Sequence, residues 1–108
     1  MTDIRELLTL AARAMGSLEI GRWANLPGRT VAVMETEEFW SPHDDDGDCA
    51  RMCAALTICT DWTERRVICV HRGTYIYEKF ADHNGDKSAA WRMAALRVAA
   101  EIGRGMQG

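Results

Sequence analysis

The chain has 108 residues, of which 47% are hydrophobic and 27% charged, and its 13 Lys and Arg against 16 Asp and Glu leave a formal charge of −3. That length corresponds to a single domain, 1–108, able to bury a core without metal or disulfide staples. The acidic balance and scattered basic residues argue against nucleic acid as a partner, since phosphate affinity comes from Lys and Arg, and no apolar run approaches the ~20 residues that span a bilayer.

Met1 to Glu6 mixes charges of both signs, unlike the basic and apolar start of a signal peptide. A cytoplasmic location is therefore expected, where thiols stay reduced. The cysteines Cys49, Cys53, Cys59 and Cys69 are then free thiols or metal ligands before they are disulfides. Thr2 reads as an N-cap with acids in the turn that follows, where the helix dipole favours them. Ile4, Leu7, Leu8, Ala11 and Met15 recur at helical spacing. Gly16 fits the C′ position that closes such a helix.

Leu18 to Trp23 is either a short extended piece or a buried loop. Asn25-Leu26-Pro27-Gly28 is a turn, because proline presets φ and glycine supplies a positive one. Thr30 to Glu35 has the β-branched content of a strand. Ser41-Pro42-His43-Asp44 has the form of a capping box with Pro42 at N1. Gly47 is expected to break that turn, with Asp46 or Asp48 capping a second helical start. Cys49, Met52, Cys53 and Leu56 then form a core-facing stripe.

After Leu56 the period changes to two. Thr57 to Trp62 is a candidate strand, and Arg66 to His71 joins Thr74 to Phe80 through Arg72-Gly73 as a hairpin. Asp82 to Asp86 is a loop with an Asn-Gly turn. Asp86 or Ser88 caps a last helix whose apolar stripe is Trp91, Ala95, Val98 and Ile102, with Arg92, Arg97 and Glu101 on its polar side. Gly103 is expected to end it, leaving 103–108 as a frayed tail. Short links force antiparallel pairing. The expected class is α+β, a small antiparallel sheet of three to four strands packed with three helices in α-β-α layers.

Chemistry-bearing residues cluster near the middle. Asp44, Asp45, Asp46 and Asp48 offer oxygen ligands of the kind Mg²⁺ and Ca²⁺ take. Their spacing does not match a Ca²⁺ loop: with Gly47 at the glycine position, the first ligand position falls on Pro42. Carboxylates at a helix start are caps and dipole partners first. The four cysteines, with His43 or His71, are the residue types of a zinc site, but at separations unlike paired knuckles. Cys49 and Cys53 on a core stripe read instead as buried thiols. Cys69 and His71 share a strand face near several arginines, a setting that activates a thiol only when partly exposed. No glycine-rich elbow or oxyanion donor accompanies them, so no catalytic residue is assigned. His83 lies in a polar loop and reads as solvated. Tyr75 and Tyr77 make one face of their strand aromatic, without the RNP pattern of base-stacking sheets. Trp40 and Trp91 are expected core anchors, and an exposed Trp23 or Trp62 marks an interaction surface.

The segment Trp40-x-Pro42-x-Asp44-Asp45-Asp46-Gly47-Asp48-x-x-Arg51-Met52 resembles the W-N-P-x-x-D-D-G-D-A-x-R-L segment of small phage and prophage proteins. This is the phage α-β-α sandwich domain family, similar to NinX-like proteins. The likeness extends to a helix ahead of the motif, strands behind it, and a closing helix like Ala89 to Ala95. It departs at Ser41, where Asn is usual, and at Cys49 and Cys53. The resemblance implies a layered fold and life in a bacterial host cell, and no particular activity, cofactor or catalytic residue. The expected role is a non-enzymatic protein-interaction module of a phage or prophage, host-directed or anti-defence, binding a protein partner or itself. The alternatives are a metal-binding protein and an accessory to nucleic-acid processing.

Overall fold

The computed structural model describes residues 3–16 and 19–106. Asp3 begins helix α1, Ile4–Met15, its carboxylate accepting from the Arg5 amide. Thr2, expected as that cap, lies outside the described residues, as does Leu18. Gly16, at φ +75, closes the helix by donating back to Ala12 and Arg13. The buried face of α1 is wider than the periodicity suggests and includes Leu10 and Ala12.

Among the described residues six strands follow in two antiparallel sheets, where one sheet of three to four was expected. The first holds β1 (Ile20–Leu26), β2 (Arg29–Met34) and β3 (Phe39–Trp40) in that order. The stretch before Asn25 is thus a strand, not a buried loop. Pro27 and Gly28 make its hairpin turn, with Gly28 at φ +79. Ala32 and Met34 of β2, with Trp23, Ile20 and Trp40 paired beside them, pack into the core that α1 covers. Val31 and Val33 on the opposite face are buried as well.

The second sheet holds β4 (Cys59–Trp62), β5 (Arg66–His71) and β6 (Thr74–Lys79), again in chain order. Val67 and Cys69 point inward from its central strand. A 3-10 turn, Phe80–His83, leads through Asn84 and Gly85 to Asp86, which caps α3 (Lys87–Gly105) by accepting from the Ala89 amide. Helix α2 spans Asp46–Leu56 and packs on α3 and α1.

Helix α3 is the element the others share. It packs on α1, on α2, and on the inner side of β5 and β6. Small residues permit this: Ala90, Ala94, Ala95, Ala99, Ala100 and Gly103 are all buried, far beyond a single stripe. Gly103 does not end the helix. It lies where α1 crosses so closely that a Cβ would sit 1.8 Å from the Leu10 carbonyl oxygen. The helix runs on to Gly105, Arg104 pairing with Glu101 and Glu6, so the residues after Gly103 are not simply frayed. Gln107 and Gly108 lie outside the described residues. The class is α+β, with helices and antiparallel sheet in layers around one contiguous core.

Candidate functional site

The stretch from Trp40 to Asp48 is built as a corner. Trp40 is buried, Pro42 fully so, and the Ser41 carbonyl accepts from the amides of Asp44 and Asp45 in a single turn. No helix starts at Ser41, so the expected capping box does not form there. Asp45 is the N-cap of α2, its Oδ2 accepting from the Asp48 amide at 2.8 Å. Asp48, inside the first turn, reaches back to accept from the Ser41 amide at 2.9 Å. Only half of a capping box forms at Asp45 and Asp48: the Asp45 side chain takes the N3 amide, while the Asp48 carboxylate goes to Ser41 and the Asp45 amide to the Ser41 carbonyl. Gly47 lies within the first turn of α2 rather than breaking a turn before it.

Each aspartate has its own partners. Asp48 Oδ1 meets Arg51 at 2.6 Å, and Asp46 Oδ1 meets Arg92 Nη1 at 2.5 Å. Asp44 faces Arg29 at 3.8 Å and His43 Nε2 at 3.3 Å. The carboxylates therefore diverge toward arginines and amides instead of converging on a cation, as a hard-metal site requires. Among the described residues, no group of three or more His, Cys, Asp or Glu is arranged to hold a metal ion.

Arg92 is the residue that sequence periodicity misplaces. The helical spacing puts it on the polar side of α3, yet only 15% of its side chain is exposed. Besides Asp46, it donates from Nε to the His43 carbonyl at 3.0 Å, tying the corner to the central helix. His43 itself is nine-tenths buried, and its Nε2 donates to the Thr30 carbonyl at 3.0 Å. In that tautomer Nδ1 keeps a lone pair, which is buried without a partner.

Of the four cysteines, Cys49, Cys53 and Cys69 neighbour one another, and Cys59 stands apart. Cys49, Cys53 and Cys69 are in the core, while Cys59 is exposed. Cys59 pairs across from Val70, so it lies on the opposite sheet face from Cys69. Cys49 is held far above the usual thiol range by its hydrogen bond with Cys53 and then by burial. The same hydrogen bond lowers Cys53. Burial pushes Cys69 up to about 11, against a weak contact with the Thr60 hydroxyl. A buried thiol with a raised pKa is a poor nucleophile at neutral pH. The Cys69–His71 pairing has the shared face but not the chemistry.

His83 is not solvated as its loop suggests. Its Nε2 lies 2.8 Å from Glu78 Oε1, and the other carboxylate oxygen of Glu78 takes Arg97. This bridges β6, the 3-10 turn and α3.

The face of the second sheet turned away from α3 is open. Along β6, Ile76 and Glu78 point inward, and Tyr75 and Tyr77 outward, with 70% and 45% exposure. Ile68 and Val70 are half-buried beside them, each directly paired with a tyrosine. The Arg66 guanidinium stacks over Tyr77 at 4.5 Å. Trp62, paired with Val67, is on the other side of the sheet at its end, 51% exposed and 6.2 Å from the Phe80 ring. Of the expected anchors, Trp40 is buried. Trp91 is half-buried, and its indole donates to the Thr60 hydroxyl at 3.1 Å. Trp62 is thus the tryptophan that meets the expectation of a surface aromatic.

No helix among the described residues is long and apolar enough to cross a membrane. No family model matches this chain, and no curated protein or solved structure matches it either.

Proposed function

We propose that the chain is a non-enzymatic protein-interaction module that docks a partner on the outer face of β4–β6. The observation that carries this reading is the exposure of Tyr75 and Tyr77 side by side on that face. Tyrosine and tryptophan are enriched at interface cores because they bury large area at low entropic cost. Half-buried Ile68 and Val70 supply an apolar floor between them. The geometry around Asp44 to Asp48 supports assigning that motif to the fold, and the buried thiols support assigning them to the core. The motif's resemblance to the phage α-β-α sandwich family supports a cytoplasmic setting in an infected or lysogenic bacterium, where a host-directed role fits the class.

The test is affinity capture from bacterial lysate with wild-type chain, a Tyr75→Ala variant and a Tyr75→Ala/Tyr77→Ala variant. Met106→Ala, an exposed apolar side chain just past the last turn of α3, serves as the control. The reading expects a stoichiometric partner that the control retains and the face variants lose. Absence of such a partner, or its equal retention by every variant, rejects the reading.

A second reading draws on the charges near the same face. Arg66 and Lys79 lie on it, with Arg65 and Arg72 in the flanking turns, against Asp61 and Glu64. Tyrosines on a sheet with stacked arginine are a platform for single-stranded nucleic acid. Binding to single-stranded DNA or RNA that weakens steeply with salt, and is lost with Tyr75→Ala/Tyr77→Ala, selects this accessory role instead.

A further inference from the structure

The edge of β6 is as distinctive as its face. The pairing of His71 with Thr74 closes a two-residue hairpin, which makes it a hydrogen-bonded pair. The alternation then directs the backbone groups of Thr74, Ile76 and Glu78 toward β5, and those of Tyr75, Tyr77 and Lys79 away from it. Two independent contacts agree with this phase: the Phe80 amide donates to Arg65, and the Thr63 amide to Arg66. Among the described residues, the N–H and C=O groups of Tyr75, Tyr77 and Lys79 make no hydrogen bond.

Edge strands of monomeric proteins are normally blunted by shortness, bulges, proline or charge. The other edges here are. β3 has two residues, β1 is irregular between Ile20 and Arg22, and β4 is four residues long and includes Asp61. β6 runs six residues without proline, glycine or register shift. Of its two charges, Glu78 is already bonded to His83 and Arg97, and Lys79 is the last residue of the strand.

We infer that β6 pairs antiparallel with β6 of a second copy, with Tyr77 on the two-fold axis, joining the two sheets into one of six strands. The three outward-facing residues are symmetric about Tyr77. Centred there, Tyr77 faces Tyr77 of the second copy and Tyr75 faces Lys79, so every unpaired backbone group on both edges finds a partner. Six interchain hydrogen bonds result. The side chains complement each other in the same register: each Lys79 ammonium meets a Tyr75 ring, the cation–aromatic contact that Arg66 and Tyr77 already make within one chain. On the inner side, a groove lined by Ile4, Leu7, Ile76 and Met93 together with the charged Glu78, Arg97, Glu101 and Arg104 also includes β6 residues. A two-fold interface of this kind needs one self-complementary patch, which β6 supplies. Self-pairing does not rest on the docking role proposed above, since a chain that self-pairs but retains no other partner leaves it intact.

Sedimentation velocity over a micromolar-to-millimolar concentration series tests it. Wild-type chain is expected to show a monomer–dimer equilibrium. Tyr77→Pro is expected to be monomeric, because it deletes an edge N–H that makes no bond within the chain. Tyr77→Lys, which keeps the backbone intact, places like charges opposite each other on the axis and raises the dissociation constant at least about tenfold. A nitroxide on Tyr77→Cys in a Cys59→Ser background gives dipolar broadening in frozen solution if the labels meet at the axis. A wild-type chain monomeric throughout the series overturns the inference. So does a dimer indifferent to Tyr77→Lys, or one whose axis labels show no broadening.

Discussion

Gly103→Ala isolates the contact on which the packing of α1 against α3 depends. The added methyl carbon falls 1.8 Å from the Leu10 carbonyl oxygen and 2.7 Å from its carbonyl carbon. Both are backbone atoms of a helix, so no side-chain rotation relieves the overlap. Restoring an ordinary carbon–oxygen separation moves the helices apart by about 1.4 Å, and a gap of 0.5–1 Å already forfeits roughly a quarter to a half of each dispersion contact along the seam. Overpacking of this sort costs about 3 kcal/mol or more. The better helix propensity of alanine returns about 1 kcal/mol, leaving a net loss of about 2 kcal/mol and a drop in Tm on the order of 10 °C. Urea denaturation followed by tryptophan fluorescence measures it. Gly105→Ala, in the same helix with open space where its methyl group would go and nothing within 4 Å, is the control and is expected to be neutral or slightly stabilising. If Gly103→Ala matches wild type in midpoint and slope, the close crossing is not what holds α1 in place.

Arg92→Met removes the Nε bond to the His43 carbonyl and the ion pair with Asp46. It is expected to cost about 1.5–3 kcal/mol by denaturant titration, and more than Arg51→Met, whose pair with Asp48 lies at the surface. A thiol reagent is expected to label Cys59 at once, and Cys49, Cys53 and Cys69 only as fast as the chain opens; rapid labelling of further thiols contradicts the packing. Stability is expected to fall at alkaline pH. Cys69 is raised in the fold, so its contribution is complete below the unfolded thiol value of about 8.5 and is lost as pH rises through about 11, at up to about 1.4 kcal/mol per unit. Cys69→Val flattens that part of the profile, and an unchanged slope refutes the assignment.

Elements with strong local signals were legible in the sequence. The hairpin from Arg66 to Lys79, the Pro27-Gly28 turn, a cap at Asp86 or Ser88 (the structure uses Asp86) and the Cys49–Met52–Cys53 stripe all follow from residues near one another in the chain. What escaped depends on partners far away. Arg92 looks like a surface arginine until Asp46 and the His43 carbonyl arrive from another part of the chain. Gly103 has the local form of a helix stop, and only the crossing of α1 gives it a different purpose. His83 has no local sign of Glu78 and Arg97. The division into two sheets was equally hidden, because β1 has mixed polarity and β3 is only two residues long. For the candidate site, alternation identified the outward tyrosines, whereas the open edge became visible only once the phase of the β5–β6 ladder was known.

The shared position of α3 also sets the order in which this chain acquires its structure. Its main helical partner, α1, is the first described element, so the contact between them closes nearly the whole chain into a loop. Such sequence-distant pairing slows folding, since closure entropy is lost before the contact rewards it. Hairpins β1–β2 and β5–β6 form early from local turns, but a nascent chain that has not yet released α3 leaves Val67, Cys69 and the seam of α1 exposed to water. Until α3 arrives, the inner side of β5 and β6 and the seam of α1 have no helix to cover them. At that stage the chain is most dependent on chaperones and most open to aggregation.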